Sequence, residues 1–146
     1  MKKDKNFYAL ILAGGLGSRF WPASKESLPK QFIDLTGSGK TLIQETFIRI
    51  KKIIKTENIF ISTNEKYKEL VLKQIPEINS KNLICEQSKR NTAPSILYAS
   101  LKISQINKKS KVIVLPSDHY IEKLNEFYKN VEHAFSVSKS DRLVTF

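Results

Sequence analysis

The chain has 146 residues, 40% of them apolar, and a net charge of +11 from 25 basic and 14 acidic side chains. That is about one domain with enough apolar side chains for a real core, and no run approaches the roughly 20 apolar residues of a membrane span. The basic excess is nearly all lysine, spread evenly and without a cluster interleaved with aromatics, so neither nucleic acid nor a membrane is the expected partner.

In chain order, Phe7 to Leu12 is a short continuous apolar run ending in glycines, the pattern of a strand buried on both faces. Basic residues precede it, as in a signal peptide. The run is very short and enters Gly-Gly-x-Gly rather than a cleavage site, so it reads as the first strand. The loop from Ala13 to Lys40 is long, and Pro22 and Pro29 keep it from becoming a helix. Thr41 and Gln44 then read as a capping box, with Leu42, Ile43, Phe47, Ile50 and Ile54 following at helical spacing. A second strand is expected over 58–63, a short helix over 65–74 and a third strand over 83–86. A helix over 94–106 follows, with Pro94 suited to its first position. The fourth strand is expected over 111–115 and the next helix over 124–138, with Phe127, Val131, Ala134 and Phe135 on one face. Arg142 to Phe146 reads as the opening of a fifth strand. The single cysteine, Cys85, rules out an intramolecular disulfide and fits a reducing cytoplasm.

Strict alternation of strand and helix predicts an α/β fold: a doubly wound, mostly parallel Rossmann-like sheet ordered 3-2-1-4-5, truncated after the fifth strand. Strands 1 and 4 are neighbours across the switch point of such a sheet, and ligands bind there at the carboxyl ends. That order brings Gly14–Arg19 beside Ser117 and Asp118.

The stretch from Leu10 to Phe32 carries the chemistry. Gly14, Gly15 and Gly17 let the backbone approach a ligand and aim N–H groups at it, and Arg19 and Lys30 add two cations. A multiply charged anion is the natural guest. The phosphate-binding candidates here are Leu12, Ala13, Gly14, Gly15, Gly17, Ser18, Arg19 and Lys30. Asp118, at the end of a buried strand, is a natural Mg²⁺ ligand, since Mg²⁺ on phosphates needs only one or two carboxylates. Its bland reading is a turn residue. Two rival phosphate motifs compete. A dinucleotide GxGxxG from Gly15 fails at Phe20. A P-loop over 34–41 matches GxxxxGK[ST] except at Asp34, where glycine should stand.

Gly15-Leu-Gly-Ser-Arg19, Phe20-Trp-Pro22 and Pro29-Lys-Gln-Phe32, in order on one loop, resemble sugar-phosphate nucleotidyltransferases of the mannose-1-phosphate guanylyltransferase (GDP-mannose pyrophosphorylase) branch. Pro116-Ser-Asp-His119 resembles that family's Pro-Ala-Asp-His. Glu86-Gln-Ser-Lys-Arg-Asn-Thr-Ala-Pro94 resembles its Glu-Pro-x-x-Arg-Asn-Thr-Ala-Pro, departing at Gln87. The resemblance covers the chain from Tyr8 onward. It implies transfer of GMP from GTP to mannose 1-phosphate, giving GDP-mannose and pyrophosphate, with direct attack on the α-phosphorus and no protein nucleophile. Arg19 and Lys30 would hold the triphosphate and Asp118 the Mg²⁺, these three being the catalytic candidates. Glu86, Arg90, Asn91 and Thr92 would meet the base and ribose, with Ser117 beside them on the nucleotide.

The resemblance further implies that residues 1–146 are the nucleotide-binding part of a nucleotidyltransferase domain whose sugar-binding part is absent. The chain alone would then be an incomplete enzyme, prone to self-association or to pairing with a missing C-terminal half. Three alternatives stand beside this reading: a nucleotidyltransferase for another sugar or base, a nucleotide-binding module needing a partner chain, and a P-loop-type NTPase.

Overall fold

The computed structural model describes residues 3–15, 20–86, 92–139 and 143–145. The elements alternate: β1 (Phe7–Leu12), α1 (Leu42–Lys51), β2 (Ile59–Asn64), α2 (Lys68–Gln74), β3 (Leu83–Glu86), α3 (Thr92–Ile106), β4 (Lys111–Pro116) and α4 (Leu124–Val137). The strands form one parallel sheet in the order β3-β2-β1-β4. The four-strand part of the expected order is therefore met.

The sheet's two faces follow from the period of two along β1. Ala9 and Ile11 point into the larger core, where Ile43, Phe47 and Ile50 of α1, Val71 of α2, and Phe127, Val131 and Phe135 of α4 meet Ile59, Ile61, Ile113 and Leu115. Tyr8 and Leu10 point the other way, into a smaller core closed by Ala99 and Ile103 of α3 with Phe60 and Ile84. All four central residues of β1 are buried, as a strand covered on both sides must be.

Local signals hold in most places. Gln44 Oε1 accepts from the Thr41 N–H at 2.9 Å, and the Thr41 hydroxyl turns to Gln74 Oε1 at 2.7 Å, tying the start of α1 to the end of α2. Gln74 Nε2 also donates to the Phe32 carbonyl at 3.0 Å, fixing the 3₁₀ turn Lys30–Phe32 against both helices. Helix α3 begins two residues before Pro94, which therefore sits third. The first four N–H groups of a helix have no intrahelical acceptor, so proline costs nothing there either.

The fifth strand is not present among the described residues: 143–145 belong to no strand, and Arg142 and Phe146 lie outside them. The place of helix α4 bears on the order expected for that strand. The helix packs on the face of α1, with Phe135 stacked on Phe7 at 4.0 Å between ring centroids. A right-handed crossover from β4 to a parallel strand beyond it would need α4 on the face of α3.

Candidate functional site

The crevice opens where β1 parts from its neighbours. The Leu12 carbonyl accepts from the Ser117 N–H at 3.1 Å on the β4 side, while the Ala13 N–H donates to the Ser62 carbonyl at 2.8 Å on the β2 side. The chain then enters the glycine loop, which buried side chains anchor from below. Gln31, 1% exposed, donates to the carbonyls of Ala13 at 2.8 Å and Gly15 at 3.0 Å. The Thr63 hydroxyl donates to the same Ala13 carbonyl at 3.1 Å.

Gly14 and Gly15 are exposed, and a Cβ at either would meet no heavy atom of the described residues within 4 Å. Neither has a left-handed backbone. Packing among the described residues therefore gives no reason for glycine at these positions. Gly17, Ser18 and Arg19 lie outside the described residues.

Lys30 and Asp118 meet across this opening as an ion pair, with Lys30 Nζ also 5.2 Å from the centroid of the Phe20 ring. Partial burial pushes the Asp118 carboxyl up, and the Lys30 ammonium more than reverses this, holding it below the usual carboxylate range. Ser117 is buried and Asp118 half-buried, while the side chains of His119 and His133 are exposed.

Behind Asp118 lies a polar brace from α1. The Thr46 hydroxyl donates to the Ser117 carbonyl at 3.2 Å. Arg49 Nη2 donates to Thr46 Oγ1 at 2.9 Å and to the His119 carbonyl at 3.1 Å. Arg49 is only 7% exposed, its guanidinium lies 5.6 Å from the Phe127 ring centroid, and burial lowers its pKa. Its Nε has no partner among the described residues.

At the other end of the sheet, Glu86 terminates β3 and is half-buried, and Thr92 starts α3. Arg90 and Asn91 fall outside the described residues. The Ser62 and Ser95 hydroxyls, 2.8 Å apart and buried, hold α3 onto β2 just behind this edge. Three strand spacings, about 14 Å, separate the ends of β3 and β4.

The P-loop reading does not survive the geometry. Asp34 Oδ1 accepts from the N–H groups of Thr36 at 3.2 Å, Gly37 at 2.8 Å and Ser38 at 3.2 Å, and Oδ2 from Gly39 at 2.8 Å. The concavity that a P-loop offers to phosphate is filled by this chain's own carboxylate. Desolvation raises the Asp34 pKa, and the four donors outweigh it, leaving the carboxyl below its ordinary value.

Sequence reasoning missed Gln31, Thr46, Arg49 and Thr63. A signal existed for two of them: Thr46 and Arg49 fall on the same stripe of α1 as Leu42, Ile43 and Ile50, and polar residues on a core-facing stripe mark a buried network. Cys85 is half-buried. A cavity of about 700 Å³ lies elsewhere, between the outer edge of β4 and α4, and includes neither the glycine loop nor Lys30 or Asp118 in its walls. Among the described residues no three His, Cys, Asp or Glu side chains cluster as a metal cage, and no helix is long and apolar enough to cross a membrane.

Comparison with known proteins gives the family and the fold. The family model described as nucleotidyl transferase matches residues 8–146. The chain is 35% identical over 147 residues to mannose-1-phosphate guanylyltransferase 2 of Escherichia coli O157:H7, covering 98% of this chain and 30% of that protein. It is 37% identical over 139 residues to a mannose-1-phosphate guanylyltransferase of Klebsiella pneumoniae, covering 94% and 29%. A crystal structure of a mannose-1-phosphate geranyltransferase from Thermus thermophilus superposes with a TM-score of 0.82 at 27% identity, over 92% of this chain and 39% of that one. A mannose-6-phosphate isomerase from Helicobacter pylori superposes with a TM-score of 0.67 at 27% identity, over 90% and 46%. The chain thus spans about 30% of the length of these curated relatives.

Proposed function

Because the chain belongs to the nucleotidyl transferase family, we propose that the crevice between β1 and β4 binds GTP and serves guanylyl transfer to mannose 1-phosphate in the whole protein. The observation that carries this reading is the Lys30–Asp118 pair beside the open glycine loop. Lys30 is adjacent to Gln31, which holds Gly15, and Asp118 is adjacent to Ser117, which holds Leu12. A cation, a carboxylate and open backbone thus share one rigid frame.

In this reading the backbone at Leu12, Ala13, Gly14, Gly15, Gly17 and Ser18 lines the phosphates, with Arg19 and Lys30 supplying positive charge. Glu86 accepts from the two N–H donors on the guanine edge, and Arg90, Asn91 and Thr92 flank the base and ribose. The donor set suits Mg²⁺: one half-buried carboxylate, Asp118, is enough when phosphate oxygens complete the shell. Bound there, the metal would neutralise charge on the phosphates. The sugar phosphate attacks the α-phosphorus, a new P–O bond forms, and the bond to the leaving pyrophosphate breaks. The protein's part is positioning and charge stabilisation.

Every side chain assigned here serves base, ribose, phosphates or metal, so the reading gives this chain the nucleotide half of the reaction and assigns no residue to the sugar. A cytoplasmic setting accords with the single, unpaired Cys85. The test is titration of the chain with GTP in the presence and absence of Mg²⁺. Affinity that rises with Mg²⁺ supports the reading, and no binding of GTP under either condition overturns it.

A further inference from the structure

We infer that Thr46 and Arg49 are positioning residues for Asp118, acting on the carbonyls of its two sequence neighbours, Ser117 and His119. The inference rests on the proposed role of Asp118 and extends it to a pair of side chains that face away from the crevice.

Asp118 lies between the two held carbonyls. The carbonyl before it, on Ser117, accepts from Thr46, and the carbonyl after it, on His119, accepts from Arg49. The donors are three residues apart on α1 and are bonded to each other, so they form one rigid unit. Arg49 is seated in turn by α4. The Tyr128 hydroxyl donates to its carbonyl at 3.3 Å, and the Phe127 ring lies beside its guanidinium. Such a residue is an odd choice for simple filling. Glu45, one turn back on α1, offsets part of the burial of the guanidinium but makes no close ion pair with it, and an apolar side chain would pack the same space at less expense. Among the described residues Arg49 forms no salt bridge, and its neutral acceptors are Thr46 Oγ1 and the His119 carbonyl. What arginine adds over leucine or methionine is therefore the hold on the segment that carries Asp118. Side chains in this kind of supporting position tune metal affinity without touching the ion.

The experiment uses the full chain and Thr46→Val, Arg49→Met and Arg49→Lys, each checked for folding by near-UV circular dichroism. GTP affinity is titrated with and without Mg²⁺, and amide hydrogen exchange is followed at Ser117. Arg49→Met and Thr46→Val are expected to reduce the Mg²⁺-dependent gain in affinity by about tenfold and leave metal-free affinity unchanged. Arg49→Lys, which keeps one donor for the His119 carbonyl, recovers part of the gain. In an Asp118→Asn background, Arg49→Met has no further effect on that gain. Exchange at the Ser117 amide accelerates in Arg49→Met and stays slow in the centre of β1. Equal loss with and without Mg²⁺, an undiminished effect in the Asp118→Asn background, or unchanged Ser117 exchange would each overturn the inference. Absence of any Mg²⁺-dependent gain in the parent chain would instead sink the metal role proposed for Asp118, and Ser117 exchange would still decide whether the brace holds the segment. Should Arg49→Met fail to fold, Thr46→Val and Arg49→Lys carry the same test.

Discussion

Lys30 and Asp118 neutralise each other across the crevice, although one comes from the loop after β1 and the other from the turn after β4. The pairing has a pH signature. Burial raises the Asp118 pKa and Lys30 lowers it further, so the folded value lies below the ordinary carboxylate value. A depressed folded pKa contributes stability that is fully present above the unfolded value and is lost as pH falls through the folded one. Thermal unfolding of the parent and Lys30→Met, compared from neutral to acid pH, is expected to show a gap at neutral pH that closes once Asp118 is protonated. Both groups are partly solvated, so the gap is small. A gap that widens toward acid would contradict the pairing.

Asp118→Asn keeps the size of the side chain and removes its charge. The fold is expected to persist, because Ser117 and His119 are held through their backbone. Mg²⁺-dependent GTP binding is expected to weaken by about tenfold or more. Isothermal titration calorimetry measures it. An unchanged affinity would make Asp118 a turn residue only.

The base side gives an independent outcome. If Glu86 meets the guanine edge, adenine leaves that carboxylate unpaired, a difference of about 1–3 kcal/mol. Parallel titrations with GTP and ATP, each with Mg²⁺, read it directly. Equal affinities or a preference for ATP would remove the guanine assignment and leave the phosphate site standing.

Gln31 tests the frame of the glycine loop. Gln31→Leu removes the donors to the Ala13 and Gly15 carbonyls. Thr63 still serves Ala13, so the expected loss of stability is at the low end of about 1–3 kcal/mol, measured by urea unfolding. Nucleotide affinity is expected to fall as well, because Gly15 is no longer fixed. A variant that loses stability but binds GTP as the parent does would separate the loop's packing from its function.

The parts of this fold that were legible in the sequence were those set by local chemistry. The apolar run at Phe7–Leu12, the Thr41–Gln44 pairing and the alternation of strands and helices pointed to the order β3-β2-β1-β4. The side on which α4 packs was not legible. Phe127, Val131 and Phe135 announce an apolar face, but nothing in their spacing says which face of the sheet it covers. The candidate site divided in the same way. Lys30 and Asp118 could be nominated from motif and strand end, yet their mutual pairing depends on two segments far apart in the chain brought together by β1 and β4. The support from Gln31 was harder still, since its hydrogen bonds to distant carbonyls leave no pattern in the sequence, whereas Thr46 and Arg49 showed only as polar residues on a core-facing stripe, without their partners.

The loop around Asp34 has a consequence for how ligands distribute over this domain. Its backbone donors are satisfied internally, with Gly37 and Gly39 at φ of +72° and +77° curving the chain around the carboxylate. Asp34 behaves as a tethered surrogate for phosphate. The loop is therefore complete before any nucleotide arrives, and it does not compete with the crevice for a triphosphate. Asp34→Gly would restore the GxxxxGK[ST] spelling and empty the concavity.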